Sequence, residues 1–328
     1  MEDKLPKLPP FFHSLGPTIT RLISSIFHKA SCLRFILHLS SLIIHLTFMR
    51  SPLLASVVAL CLGAAPLVAA DTPAKPKAET SKAPARFQND GNPEHLKTPL
   101  IITPDENVAY GPHRMQVLYF WRAKSDKPTP LLFYIHGGGW TNGDRSSVNG
   151  MLKESLAAGI SVVSVEYRYI KDATADGVVP PVKGPMLDCA RALQFVRSKA
   201  KEWNLDKTKV GAAGGSAGAC TSLWLAFHDD LADPKSEDPI ARESTRLTCA
   251  AVQVPQTSLD PKQMREWTPN STYGAHAFGI VGDSKKKTSS FQAFFEAREK
   301  IMPWIKEYSP YELVTRDDPP VGLFFGAK

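Results

Sequence analysis

The sequence predicts an α/β domain with a mostly parallel sheet and helices on both faces. Three observations carry that expectation. From about residue 115 onward, apolar β-rich runs alternate with stretches of helical periodicity, the pattern of a parallel sheet with crossover helices. The run Leu131 to Ile135 is apolar at every position, as a strand covered on both faces must be. And the short strand around Val210 ends in Gly214-Gly215-Ser216-Ala217-Gly218 and passes at once into a helical pattern.

Taken in order, Met115 to Arg122 reads as an early strand. Leu131 to Ile135 is a second, running directly into His136-Gly137-Gly138-Gly139-Trp140, and Ile160 to Arg168 is a third β-rich run. Pro185 to Trp203 repeats apolar residues at helical spacing through Met186, Ala190, Leu193 and Val196, and leads to the strand at Val210. A helix from Ala217 to about His228 follows, then a strand from Leu247 to Val254. The segment from Asp260 to Pro310 reads as an enlarged cap near the site, with a helical stretch from Ser289 to Ile305. Pro320 to Phe325 is the last strand, and no internal repeat is present.

The chemistry concentrates at two turns. Gly214 to Gly218 is a G-x-S-x-G elbow, in which flanking glycines let the chain reverse so sharply that a serine is held in a strained conformation at a helix N-terminus. The bland alternative is a glycine-rich turn after a buried strand. The glycine run after His136 argues against it: both turns sit at the carboxyl ends of strands, where the groups of a parallel sheet gather, and the backbone N–H groups of the run can bind an oxyanion.

On these residues the chain resembles the α/β-hydrolase superfamily, in the branch of HGGG-type esterases and lipases that includes hormone-sensitive-lipase-like and polysaccharide-esterase-like enzymes. The resemblance runs from about Ala109 to the C-terminus on His136 to Trp140, Glu166-Tyr167-Arg168, Asp188 and Gly214 to Gly218. It implies that Ser216 is the nucleophile and that Gly138, Gly139 and Ala217 supply oxyanion N–H groups. It implies structural roles for His136, Glu166 and Arg168, the last two as a buried pair bracing the oxyanion loop. The reaction implied is hydrolysis of a carboxylic ester, on a small molecule or linked to a polysaccharide.

The superfamily order is serine, then acid, then histidine. By strand count the acid loop, the last strand, the histidine and the closing helix are expected beyond Lys328, so the sheet should lack its final strand. Within the chain, His228 lies too far along the helix after Ser216, Asp317 and Asp318 precede the last strand at its wrong end, and His276 is expected to be a solvent-facing loop residue. His276 is the weak candidate. The alternative to an esterase is a non-catalytic hydrolase-like binding protein or a truncated gene remnant lacking the acid and the histidine. The glycine turn has no P-loop lysine, Asp172 to Gly177 resembles a calcium loop without its closing glutamate, and no metal or cofactor is expected.

The N-terminus is organised for export. Residues 1–48 read as an over-extended start, and residues 49–70 combine a cationic beginning, the apolar run Leu53 to Val68 and small residues before Asp71, as a signal peptide does. Residues 71–86 are a flexible Pro-, Lys- and Ala-rich linker, and 87–328 the incomplete domain. The expected location is periplasmic or secreted, with no stable membrane span after cleavage; the rival is an anchor from Leu33 to Phe48, interrupted by His38, Ser40, Ser41 and His45. The formal charge of +7 falls to +3 once the first seventy residues are removed, without a basic run, which argues against nucleic acid as a partner. Cys189, Cys220 and Cys249 read as small buried residues.

Overall fold

The computed structural model describes residues 99–325. The expected over-extended start, signal peptide, linker and rival anchor therefore lie outside the described residues. Among the described residues no helix is long and apolar enough to cross a membrane.

The chain begins with β1 (Glu106–Ala109), β2 (Val117–Trp121) and β3 (Thr129–Ile135), then a 3-10 turn (Arg145–Val148) leads into α1 (Asn149–Ala157). Next come β4 (Ser161–Val165), α2 (Ile170–Ala175), α3 (Lys183–Ser198) and the short α4 (Ala200–Trp203). β5 (Leu205–Gly215) and α5 (Ala217–Phe227) form the strand and helix of the elbow, followed by β6 (Cys249–Gln253). Between β6 and the final strand lie α6 (Pro261–Trp267), a 3-10 turn (Ala275–Phe278), α7 (Ser290–Glu296), α8 (Met302–Tyr308) and α9 (Pro310–Leu313); β7 (Val321–Phe324) closes the order.

These strands make a seven-stranded sheet in the order β1-β2-β4-β3-β5-β6-β7. β4, β3, β5, β6 and β7 are parallel, whereas β2 is antiparallel to β4 and β1 to β2. Alternation along the strands divides the apolar residues between two cores. Leu118, Phe120, Leu131, Phe133, Ile135, Val163 and Val165 pack with α3 and α5 on one face, while Tyr119, Trp121, Leu132 and Val162 pack with Met151 and Leu152 of α1 on the other. The expectation of helices on both faces of a mostly parallel sheet is met.

Two details differ from the sequence reading. β1 is unexpected, because Glu-Asn-Val-Ala has no β-rich character of its own and is a strand only through its ladder to β2. The helical stretch from Ser289 to Ile305 is two helices: α7 is capped by the Ser289 hydroxyl and α8 restarts with Pro303 in its first turn, where a missing N–H costs nothing. The segment between β6 and β7, read as an enlarged cap, packs on the main core through Phe278, Phe291, Phe294, Ile301, Ile305 and Tyr308. β7 pairs only with β6 among the described residues, and Val321 and Leu323 are exposed on this edge. Cys189, Cys220 and Cys249 are buried, as expected.

Candidate active site

Parallel pairing of β3 with β5 sets the two glycine turns side by side. Ile135 lies opposite Gly214 at the carboxyl ends of the two strands, so His136-Gly137 and Gly215-Ser216 leave the sheet together. Their approach is closer than any side chain would permit. A Cβ on Gly137 would lie 2.6 Å from Gly215 O, one on Gly214 would lie 2.4 Å from Ile135 O, and one on Gly218 would lie 2.1 Å from Ile135 O. In each case the obstacle is backbone, which explains why these positions need glycine.

Ser216 itself has φ 53° and ψ −119°, a conformation that costs a non-glycine residue about 1–3 kcal/mol and is maintained only by its surroundings. Its N–H donates to Gln253 O of β6 at 3.0 Å and its carbonyl accepts from Cys220 N of α5 at 2.9 Å, so both sides of the turn are pinned. The side chain makes no capping bond and is partly exposed. Ala217 is the first residue of α5, so its N–H has no acceptor within the helix and lies beside the hydroxyl.

The glycine loop after His136 has three consecutive residues at positive φ: Gly138 at 111°, Gly139 at 63° and Trp140 at 56°. Thr141 and Asn142 N–H both donate to Gly138 O and close the turn. Trp140 tolerates its backbone because its ring is fully buried and its Nε1–H donates to Thr221 Oγ1 at 3.0 Å, which in turn donates to Ala217 O at 3.0 Å. The loop is thereby tied to the first turn of α5, the helix that begins at the serine.

His136, Glu166 and Arg168 are where the sequence placed them, but the pairing is different. Glu166 Oε1 lies 2.8 Å from His136 Nε2, and Arg168 instead grips Asp188 through Nε at 2.9 Å and Nη2 at 2.7 Å, with Nη1 on Asp176 at 3.0 Å. Glu166 and Arg168 are therefore not a buried pair: β4 ends at Val165, strand alternation ceases, and Arg168 is partly exposed. His136 is fully buried, stacked on Tyr167 with ring centroids 4.3 Å apart. Burial lowers its pKa, but the Glu166 carboxylate and the Gly137 carbonyl, 2.8 Å from Nδ1, outweigh burial and hold it above the ordinary 6.5. Asp188 also accepts from Gln116 Nε2 at 2.8 Å and Arg168 N at 3.0 Å, so the acid braces the chain following β4.

The segment between β6 and β7 reaches the glycine loop at Gly139 through two residues. His276 is not solvent-facing: its Nε2 lies 3.1 Å from Gly139 O and its ring is 6.2 Å from that of Trp140. The sequence concealed this because the chain returns to the loop across 137 positions. Tyr273, which the sequence did not single out, packs edge-on against His276 at 4.7 Å between ring centroids. Behind them is a cavity of about 400 Å³ lined by Ile170, Thr174, Ala275, His276 and Ile280. His228 pairs with Glu307 at 3.2 Å at the far end of α5, and Asp317 pairs with Arg246 at 2.7 Å. Among the described residues no group of three or more His, Cys, Asp or Glu could hold a metal.

The BD-FAE family model matches residues 118–328. Esterase LipC of Mycobacterium tuberculosis is 32% identical over 239 residues, covering 67% of this chain and 50% of LipC. Carboxylesterase NlhH of the same species is 29% identical over 138 residues, covering 40% of this chain and 41% of NlhH. The chain thus spans half or less of the length of these curated relatives. A solved structure described as a truncated form of a carbohydrate esterase from gut microbiota superposes with a TM-score of 0.50 at 17% identity, covering 67% of this chain and 75% of that one, and shares the fold.

Proposed function

Because the chain belongs to the BD-FAE family and to the esterase branch of the α/β-hydrolases, we propose that it is a serine carboxylic ester hydrolase working through an acyl-enzyme on Ser216. The Ser216 hydroxyl oxygen attacks the ester carbonyl carbon while its proton passes to a base. The N–H groups of Gly138, Gly139 and Ala217 receive the charge that develops on the carbonyl oxygen. Collapse of the tetrahedral intermediate expels the alcohol, and water then releases the acid and restores the serine.

The observation that carries this reading is the Ser216 backbone at φ 53° in a turn where Gly214 and Gly218 admit no Cβ. That strain has no use in a plain strand-to-helix connection, and it holds the hydroxyl beside a loop tied to the same helix by Trp140 and Thr221. The relatives' names, an esterase and a carboxylesterase, support the ester as substrate class. The substrate is a small-molecule or polysaccharide-linked ester. The test is turnover of phenyl acetate by the wild-type chain and by Ser216→Ala, with a loss of about 10³-fold or more expected because the members of such a site act as a unit. Equal rates in the two proteins would remove Ser216 from the mechanism.

A second reading, a hydrolase-like protein that binds esters without cleaving them, draws on one observation. The two histidine–carboxylate pairs among the described residues, His136 with Glu166 and His228 with Glu307, are engaged in structural contacts away from the serine hydroxyl. Saturable binding of phenyl acetate with no acid released would favour it. The protein is further proposed to be exported through residues 49–70, so the mature chain isolated from its source should begin at Asp71, and an intact Met1 detected by peptide mass spectrometry would overturn this.

A further inference from the structure

Tyr273 ends in a hydroxyl that has been taken out of water without a partner. Its oxygen is buried and makes no hydrogen bond among the described residues. The neighbours account for this. The His276 ring it packs against has its Nε2 directed to Gly139 O, and the position that a Cβ on Gly139 would occupy lies 3.4 Å from the phenol oxygen. A buried polar group left unpaired is destabilising and is rare in native proteins, so its retention calls for a partner that arrives later. The hydroxyl sits beside the glycine whose N–H is assigned to the oxyanion.

The chemistry of that partner follows from the group. Burial raises the phenol pKa well above its ordinary value, with the Cys220 side chain, one turn into α5, contributing in the same direction, so the group remains an O–H donor at any working pH. Both oxygens of a carboxylic ester are acceptors and neither donates. Resting on the reading of Ser216 as the ester-attacking residue, we propose that the Tyr273 hydroxyl donates a hydrogen bond to an oxygen of the ester bound over Gly139. The segment between β6 and β7 then supplies a polar group to the substrate in addition to the backbone donors of the loop. No covalent step is assigned to Tyr273, whose proton stays on its oxygen throughout.

Tyr273→Phe deletes the oxygen and keeps the ring against His276. Removing an unpaired hydroxyl from the interior should leave the melting temperature unchanged or raise it, whereas removing a hydrogen bond to substrate should lower kcat/KM for phenyl acetate by about tenfold. The two readouts moving apart is the expected result. Unchanged kcat/KM would overturn the proposal, and so would a fall in activity accompanied by a fall in melting temperature, since that marks a structural role. A second arm is independent of turnover: in the Ser216→Ala background, adding Tyr273→Phe should raise the dissociation constant for phenyl acetate severalfold, and an unchanged constant would overturn it. If the wild-type chain does not hydrolyse the ester, the esterase reading fails, and this binding arm alone decides whether the phenol touches an ester.

Discussion

The Nε2 of His276 lies 3.1 Å from the carbonyl oxygen of Gly139. A carbonyl oxygen accepts and cannot donate, so Nε2 carries the hydrogen and the ring is occupied in holding the glycine loop after His136. Burial lowers the His276 pKa, only partly offset by this bond, which keeps the imidazole neutral near pH 7. On the proposed mechanism, this assigns His276 the part of a strut for the loop and leaves the serine proton to another base. His276→Ala should reduce phenyl acetate turnover by up to about tenfold, the value of one neutral hydrogen bond. Initial rates check this, and a loss beyond about 10⁴-fold, the scale of a missing general base, would reverse the assignment.

Two histidines should move stability in opposite directions with pH. His136, whose pKa in the folded chain is raised above 6.5, contributes stability that is fully present below the unfolded value and is lost as pH rises through its folded value. His276, whose folded pKa is lowered from 6.5, resists protonation in the folded chain, so stability declines as pH falls below the unfolded value. Ring-proton NMR should give a His136 midpoint above that of His276. In thermal melts, the gap between wild type and His136→Asn should narrow as pH rises, and a gap that widens would contradict the pairing of His136 with Glu166.

Glycine-to-alanine changes separate two causes of glycine preference. At Gly218 the new Cβ meets Ile135 O at 2.1 Å and His136 O at 2.6 Å, both backbone atoms, so the cost should reach about 3 kcal/mol or more and expression should suffer. At Gly159, with φ 75° and nothing within 4 Å, only the left-handed backbone opposes a side chain, and about 1 kcal/mol is expected. Denaturant titration measures both, and equal losses would mean that steric crowding is not what requires Gly218.

The strands from β2 onward and the elbow were legible because their apolar runs and glycine spacings are local signals. The two glycine turns leave the sheet side by side, since parallel pairing of β3 with β5 sets Ile135 opposite Gly214 at their carboxyl ends. The partners of Glu166 and Arg168 were not legible. Both charges lie in irregular chain after β4, and His136, Asp176 and Asp188 reach them from three different elements. Tyr273 and His276 stayed hidden for the same reason: no spacing in the sequence records that the chain between β6 and β7 folds back onto Gly139.

The backbone contacts at Gly137, Gly214 and Gly218 also confine how such a protein can change its choice of substrate by mutation. A crowded side chain can be relieved by shortening its neighbour, but a carbonyl oxygen has no smaller substitute, so a Cβ at these three positions has no suppressor elsewhere in the chain. At Gly274, between β6 and β7, the crowding comes from side chains, which can be shortened, and the remaining obstacle is its φ of 112°. The nearest atoms there are the Phe294 ring at 2.9 Å and the Met264 sulfur at 3.4 Å. New specificities selected from a mutant library should therefore accumulate around residues 264–294, while the joint between loop and elbow passes through every generation unaltered.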